Sequence, residues 1–255
     1  MEPLSLSHSN KPYTNIARYY DLLMKDVKYD EWIEYILETI NLFNIKTTPL
    51  LDVTCGTGNS TIPFLNRNLT PILGMDNSIE MLKVAKEKKP DLLLVQANAL
   101  RIPFLNYFNL AISMFDSLNY LLELKKLIQA FYSIKEALKP EGHFIFDLNT
   151  PYGLRCASGR EVREENQNFI SIWRNSYDKD SKILTLHLTL FVKENGRWRR
   201  IDEIHKERGY EEEEVKYALK LSNFKVINTF KCFEHNKVDK FTRRILYVAK
   251  KNGAD

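Results

Sequence analysis

Apolar positions change their period along the chain, and each change predicts a different kind of structure. From Tyr13 they recur every three or four residues, at Ile16, Tyr19, Tyr20, Leu23 and Met24. A second helical stretch opens at Asp30-Glu31-Trp32 and carries Trp32, Ile33, Ile36, Leu37, Ile40 and Phe43 on one side. This spacing predicts two amphipathic helices after a polar, Pro-bearing tail over residues 1–12. Short apolar runs and helical stretches then alternate. A strand at 50–53 leads to a helix from about Asn59 to Asn68, and a strand at 71–75 to a helix from Ser78 through Lys88, with Ser78 as its cap. Strands follow at Leu92–Gln96 and through Phe108 to Met114. A long helix over residues 122–138 has Leu124, Leu127, Ile128, Phe131, Ile134 and Leu138 along one face. Lys139-Pro140-Glu141-Gly142 ends it, and Phe144-Ile145-Phe146 makes the next strand. Such alternation implies an α/β fold, a doubly wound sheet of parallel strands joined by helical crossovers. Ligands in such sheets sit beyond the carboxyl ends of the strands.

From about Thr150 to Arg208 the helical period disappears. Phe169 to Trp173 reads as a strand, and in Ile183 to Val192 the leucines 184, 186, 188 and 190 alternate with Thr185, His187, Thr189 and Phe191. Glu194-Asn195-Gly196-Arg197 reads as a hairpin turn leading into Trp198 to His205. This segment is therefore expected to be a small antiparallel β insert after the fifth strand. A helix over Glu211 to Ser222, with an acidic start that suits the helix dipole, precedes two closing strands at Asn223 to Phe230 and Phe241 to Val248.

Composition narrows the class. The 255 residues are 44% hydrophobic and 27% charged, as in an ordinary globular protein. No apolar run approaches the roughly 18 residues of a membrane span. The N-terminus, Met1-Glu2-Pro3-Leu4-Ser5, lacks a basic start followed by an apolar core, so no signal peptide is expected. Three cysteines, Cys55, Cys156 and Cys232, are an odd number with no paired spacing, which suggests reduced thiols in a cytoplasmic protein. The five histidines, His8, His143, His187, His205 and His235, show no metal-ligand spacing. A net charge of +4 does not demand nucleic acid.

The candidate chemistry begins at Leu50-Leu51-Asp52-Val53-Thr54-Cys55-Gly56-Thr57-Gly58-Asn59. The order is strand, Gly-rich turn, helix. Glycines permit backbone conformations closed to other residues and let a ligand approach the main chain. A dinucleotide fingerprint would place a third glycine where Thr61 stands. Asp52 precedes the turn, and a second acid, Asp76, ends the next apolar run, where a carboxylate can accept from both hydroxyls of a ribose or simply cap the following helix. Met81 suits either an adenine floor or core packing.

Asp52-x-x-Cys55-Gly56-Thr57-Gly58 resembles motif I of the class I S-adenosylmethionine-dependent methyltransferases, and the resemblance runs from about Leu50 to Asp147. It implies a seven-stranded Rossmann-like methyltransferase sheet, of which the closing β-hairpin is a mark, and S-adenosylmethionine as cofactor. The Gly-rich turn would hold the methionine part and Asp76 the ribose. The family often has a small residue at Thr54 and an Asp at Asn98, where an amide oxygen can still accept from the adenine amino group. Tyr19 to Met24 and Tyr29-x-x-Trp32 resemble the N-terminal helices that cover the cofactor in a bacterial small-molecule subfamily, and aromatic rings there can face a sulfonium cation. Met114-Phe115-Asp116-Ser117-Leu118-Asn119-Tyr120 corresponds to the loop bordering cofactor and substrate, and it is not the Asn/Asp-Pro-Pro-Tyr motif of enzymes acting on exocyclic base amines. His205-x-x-Arg208-x-Tyr210 resembles the stretch that leads from the insert back to the core in amino-sugar N-methyltransferases.

Cofactor-binding residues are therefore expected to be Tyr13, Tyr20, Asp52, Thr54, Cys55, Gly56, Thr57, Gly58, Asp76, Asn77, Met81, Asn98, Ala99, Phe115 and Asp116. Tyr20, Tyr120 and His205 are the catalytic candidates, with Asp147 and Tyr152 as further bases. The expected division is a core over 1–149 and 209–255, with an N-terminal helical lid, and an insert over 150–208 covering the substrate cleft. The expected activity is methyl transfer to a small-molecule acceptor such as an amine, by a monomer or homodimer with no membrane and no nucleic-acid partner. A nucleic-acid or protein substrate, favoured only by the pI of 8.7 and the Arg197-Trp198-Arg199-Arg200 cluster, and a non-catalytic cofactor-binding module are the alternatives. Thr61 and the closing hairpin count against a nicotinamide-dependent oxidoreductase.

Overall fold

The computed structural model describes residues 11–159 and 161–253. The first ten residues of the expected tail, with His8, lie outside this range. Seven strands form the main sheet: β1 (Leu50–Asp52), β2 (Ile72–Asp76), β3 (Leu93–Gln96), β4 (Phe108–Ser113), β5 (Leu138–Asn149), β10 (Phe224–Lys231) and β11 (Arg244–Lys251). Their order is β3-β2-β1-β4-β5-β11-β10. Pairing is parallel from β3 to β5, while β11 runs antiparallel to both of its neighbours. The strand order reverses between β1 and β4, which opens a crevice at their carboxyl ends.

Alternation along the strands fills both faces. Leu51, Met75, Phe144, Phe146 and Tyr247 pack with helices α5 (Leu124–Ala137) and α7 (Glu212–Leu221), through Leu127, Phe131, Ile134, Val215 and Leu219. Leu50, Ile112, Ile145, Leu246 and Val248 face the other way, onto α2 (Tyr29–Leu42) and α3 (Thr61–Asn66), through Ile33, Ile36 and Phe64. Helix α4 (Ile79–Lys88) completes the crossovers, and Ser78 Oγ caps it by accepting from Met81 N.

The insert is a four-stranded antiparallel sheet in the order β6-β7-β8-β9, made of β6 (Glu161–Glu165), β7 (Phe169–Asp178), β8 (Ile183–Glu194) and β9 (Arg197–Arg208). Asn195 and Gly196 turn the β8–β9 hairpin with φ of 50° and 78°, the left-handed pair that a two-residue turn requires. Its leucines meet the N-terminal segment: Ile16 and Leu23 pack with Phe169, Leu188, Leu190 and Ile201.

Four expectations need correction. The N-terminal helix does not start at Tyr13, whose φ is +61°; a 3-10 turn at Ala17–Tyr19 leads into the short α1 (Tyr20–Leu23). Lys139-Pro140-Glu141-Gly142 does not separate helix from strand. It bulges within β5, whose register against β4 shifts there. Residues 151–157 are helical as α6 (Pro151–Ala157), with Thr150 as cap, Pro151 at the first position and Gly153 N donating to Thr150 Oγ1. Strand β6 was not foreseen because its sequence, Glu-Val-Arg-Glu-Glu, has one apolar residue.

Candidate functional site

Two adjoining cavities lie at the carboxyl ends of β1, β2 and β4. The first has a volume of about 390 Å³. Its floor is the turn after β1. Asp52 is fully buried beneath it, accepting from Ser60 Oγ at 2.6 Å, Thr61 Oγ1 at 2.7 Å and Thr54 N at 3.3 Å. Burial raises this carboxyl to about 6, even though the hydrogen bonds pull it down. Asp52 therefore shapes the turn from within and is not on the cavity wall. Gly58 is also off the wall: its φ is +83°, and its N–H closes the turn onto Cys55 O at 2.8 Å.

Gly56, at φ +54°, does line the cavity, where an added Cβ would stand 3.4 Å from Met81 Cε. Its N–H donates to Asp76 Oδ2 at 2.9 Å, and Ser78 N donates to Oδ1 at 2.8 Å. Asp76 thus faces the cavity with both oxygens fixed, and burial shifts its carboxyl upward. Thr54, Cys55, Thr57, Asn77, Met81, Asn98, Ala99 and Phe115 share this wall with Tyr13, Tyr20 and Tyr120. Asn98 Oδ1 already accepts from Leu100 N at 2.9 Å, leaving one lone pair for a ligand. Tyr29, from the Tyr29-x-x-Trp32 stretch, lines it as well, with Asn59, Ser78 and Ala97, which the expected cofactor-binding set did not include.

This cavity fits S-adenosylmethionine. A main chain stripped of Cβ at Gly56, a fixed carboxylate at Asp76, an apolar Met81 and a roof of Tyr20, Tyr29 and Phe115 match an amino-acid tail, a ribose diol, an adenine and a sulfonium cation in turn.

Hydrogen bonds hold this roof on the turn after β1 and on the start of α4. Asp21 in α1 accepts from Thr57 Oγ1 at 2.6 Å, Asn59 Nδ2 at 2.9 Å and Lys88 Nζ at 2.7 Å. Ser78 Oγ donates to Tyr13 O at 3.0 Å.

The second cavity, of about 340 Å³, lies between this roof and β7–β9. It shares Tyr13, Tyr20, Tyr29, Phe115 and Tyr120 with the first and adds Trp32, Trp173, Leu186, His205, Glu207, Asp116 and Arg244. Asp116, expected at the cofactor, thus faces this second space. Its Oδ2 accepts from Asn149 Nδ2 at 2.5 Å and pairs with Arg244 Nη2 at 3.0 Å. Burial and then the neighbouring Asp116 push the Glu207 carboxyl up to about 8. Asp147 lines neither cavity. It is fully buried, accepts from Asp116 N at 2.9 Å and pairs with Arg244 Nη1 at 3.2 Å. Tyr152 lies against Phe241, away from both cavities.

The stretch from His205 to Tyr210 divides its work. His205 faces the second cavity, with Nδ1 3.0 Å from Tyr120 Oη. Arg208 pairs with Glu214 at 2.6 Å and stacks on Tyr210, which is fully buried and donates to Leu121 O. Arg208 and Tyr210 therefore fix the return of the chain to the core. Asn119 assists by donating to Asn149 O at 3.0 Å and Arg208 O at 2.7 Å. Glu207 and Glu203 were missed. Their signal was the strict alternation Ile201, Glu203, His205, Glu207, which puts polar residues on the covered face of β9.

No helix among the described residues is long and apolar enough to cross a membrane, and they hold no cluster of metal-ligating side chains.

Residues 50–142 match a family described as a methyltransferase domain. A relative from Geobacillus sp., named as a methyltransferase, is 28% identical over 94% of this chain and 99% of its own. A solved S-adenosylmethionine-dependent methyltransferase from Clostridium acetobutylicum superposes with a TM-score of 0.82 at 29% identity, covering 92% of this chain and 97% of the other. The sugar N-methyltransferase KedS8 from Streptoalloteichus shares the fold with a TM-score of 0.74 at 17% identity, over 99% of each chain.

Proposed function

The chain belongs to the class I S-adenosylmethionine-dependent methyltransferases, and from that premise we propose that it methylates the nitrogen of a small amine held in the second cavity. The observation that carries this reading is the shared wall. Tyr13, Tyr20 and Tyr120 border both cavities, so an acceptor in one lies next to a sulfonium in the other. About 340 Å³ suits a small molecule. The carboxyl of Asp116 and the rings of Tyr20, Trp32 and Trp173 suit a nitrogen that carries positive charge before or after transfer. The likeness to a sugar N-methyltransferase points the same way.

The cofactor supplies a methyl group that is already activated. The residues on the first wall would hold it: the turn at Thr54–Thr57 its methionine part, Asp76 its ribose, and Met81, Asn98 and Ala99 its adenine. The protein's task is then alignment and exclusion of water, and alignment alone can supply roughly 7–11 kcal/mol at best. Residues 150–208 act in this reading as the unit that covers the cleft and sets specificity, over a cofactor-binding core of 1–149 and 209–255. The basic hairpin tip does not call for a polymer: Arg199 pairs with Glu194, and Arg200 pairs with Asp202 and lies over Phe191.

The test is methyl transfer from S-adenosylmethionine to a panel of small amines, with the matching alcohols and with RNA and DNA as comparators. Methylated amine appearing together with S-adenosylhomocysteine is the expected result. Transfer to alcohols or nucleic acid with none to any amine would overturn the reading.

A further inference from the structure

One buried carboxylate ties the roof of the site to the residues that face the acceptor. Glu203, on β9 and 3% exposed, accepts from three main-chain amides of the N-terminal segment. Tyr13 N donates to Oε2 at 2.8 Å, and Asn15 N and Ile16 N donate to Oε1 at 2.7 and 3.2 Å. About 190 residues of chain separate these partners, so the contact exists only when roof and insert are together. His205 Nε2 lies 3.2 Å from the same Oε2, at ion-pair distance but not aligned as a hydrogen bond.

The charge of this carboxylate biases the polarity of a chain of hydrogen bonds. A carboxylate at that distance attracts a proton-bearing nitrogen and repels a bare one, so Nε2 carries the imidazole proton and Nδ1 is the bare nitrogen. Nδ1 then accepts from Tyr120 Oη at 3.0 Å. Tyr120 has spent its proton, so it accepts from Tyr13 Oη at 2.6 Å. Tyr13 in turn has spent its own. What it has left at the wall common to both cavities is a lone pair, which welcomes an N–H or O–H group and repels a second acceptor.

We propose that Glu203 is a positioning residue that couples closure of the roof to the orientation of the Tyr13–Tyr120–His205 chain, so that a closed site presents a proton acceptor to the nucleophile. The inference rests on the reading above, in which the acceptor occupies the second cavity. During transfer the acceptor's bond to the methyl carbon forms as the carbon–sulfur bond breaks. The acceptor's proton passes to Tyr13 Oη, that of Tyr13 to Tyr120, and that of Tyr120 to His205 Nδ1. An imidazolium results beside the Glu203 carboxylate, and it returns the proton to water when the roof opens. In an open site Glu203 loses its three amides, Tyr13 leaves Tyr120, and the chain is broken.

The experiment uses the full chain loaded with S-adenosylhomocysteine and needs no acceptor. Nitrogen NMR of labelled histidine reads the tautomer of His205, and amide exchange reads closure at Tyr13, Asn15 and Ile16. The wild type is expected to hold His205 as the Nε2–H tautomer. In Glu203→Gln one amide oxygen cannot replace two carboxylate oxygens, so exchange at the three amides and release of S-adenosylhomocysteine should each speed up at least tenfold, and the single tautomer should be lost. An Nδ1–H tautomer in the wild type overturns the proposal without any variant. So does a Glu203→Gln protein that loosens the roof yet keeps the tautomer, since Glu203 would then be a latch alone. In Tyr120→Phe, which cuts the chain but leaves Glu203 in place, amide protection and the Nε2–H tautomer should persist; loss of both would show that Tyr120, not Glu203, sets them. A failure of the small-amine reading would appear only in the methyl-transfer panel, so the two results are separable.

Discussion

At the scale of single residues, the site is a set of acids placed in different surroundings. Asp52 is saturated with hydrogen bonds and holds the turn. Asp76 has both oxygens fixed and faces the first cavity. Glu207 is half-buried next to Asp116 and keeps its proton to about pH 8 in the folded chain, against an ordinary 4.5. The folded state therefore binds more protons than the unfolded one between those values, and this group's contribution to stability is lost as pH rises through them. Glu207→Gln removes the ionisation while keeping the shape. Melting curves should show the variant gaining on the wild type as pH rises from about 5 to 8, with no gain below; a constant difference across that range would contradict the assignment. Asp76 and Gly56 were legible because a local pattern announces them, strand then turn then helix. Glu203 and Glu207 were not, because their meaning depends on partners brought from Tyr13–Ile16 and Asp116, contacts that no local period encodes.

At the scale of elements, the alternation of apolar runs and helical stretches was enough to read the doubly wound sheet, and the alternating leucines of β8 the insert. What escaped has physical causes. Helix α6 is only 7 residues long, too short for a period to show, although Thr150-Pro151 is a cap followed by a favoured first residue. Its tightness is tertiary: a Cβ on Gly153 would meet Arg243 O at 2.1 Å. Tyr13 reads as helical by spacing, yet its amide is drawn out to Glu203. The N-terminal elements are tied to the core through Asp21, whose carboxylate gathers Thr57, Asn59 and Lys88. Hydrogen bonds to a charged group contribute about 1.5–3 kcal/mol each at best, and Asp21 is partly open to solvent. Asp21→Ala should weaken S-adenosylmethionine binding by roughly tenfold, mainly through faster release, while leaving the melting temperature within a few degrees of the wild type. Stopped-flow release of the cofactor would show it, and an unchanged rate would mean the lid is held elsewhere.

At the scale of the whole molecule, three layers converge on one crevice. The sheet supplies the turn after β1 and the acid after β2, the N-terminal segment roofs them, and the insert closes the far side with β7–β9. Together they make two cavities with a common aromatic wall. This arrangement explains why the sheet and its first cavity were readable from motifs, whereas the second was read only as a cleft under the insert with Tyr20, Tyr120 and His205 near it: its walls come from segments far apart in the chain, such as Tyr13 and His205. It also places the insert beside the second cavity, the space proposed above for the acceptor, and fold alone does not fix the acceptor. The central claim is that the first cavity holds S-adenosylmethionine through Asp76 and the Gly56 turn. Calorimetric titration with S-adenosylmethionine, S-adenosylhomocysteine and NAD, on the wild type and on Asp76→Ala, tests it most directly. Binding of the first two in the micromolar range, weakened at least tenfold in the variant and with no binding of NAD, is the predicted result. Equal affinity in the variant, or binding of NAD alone, would contradict the account.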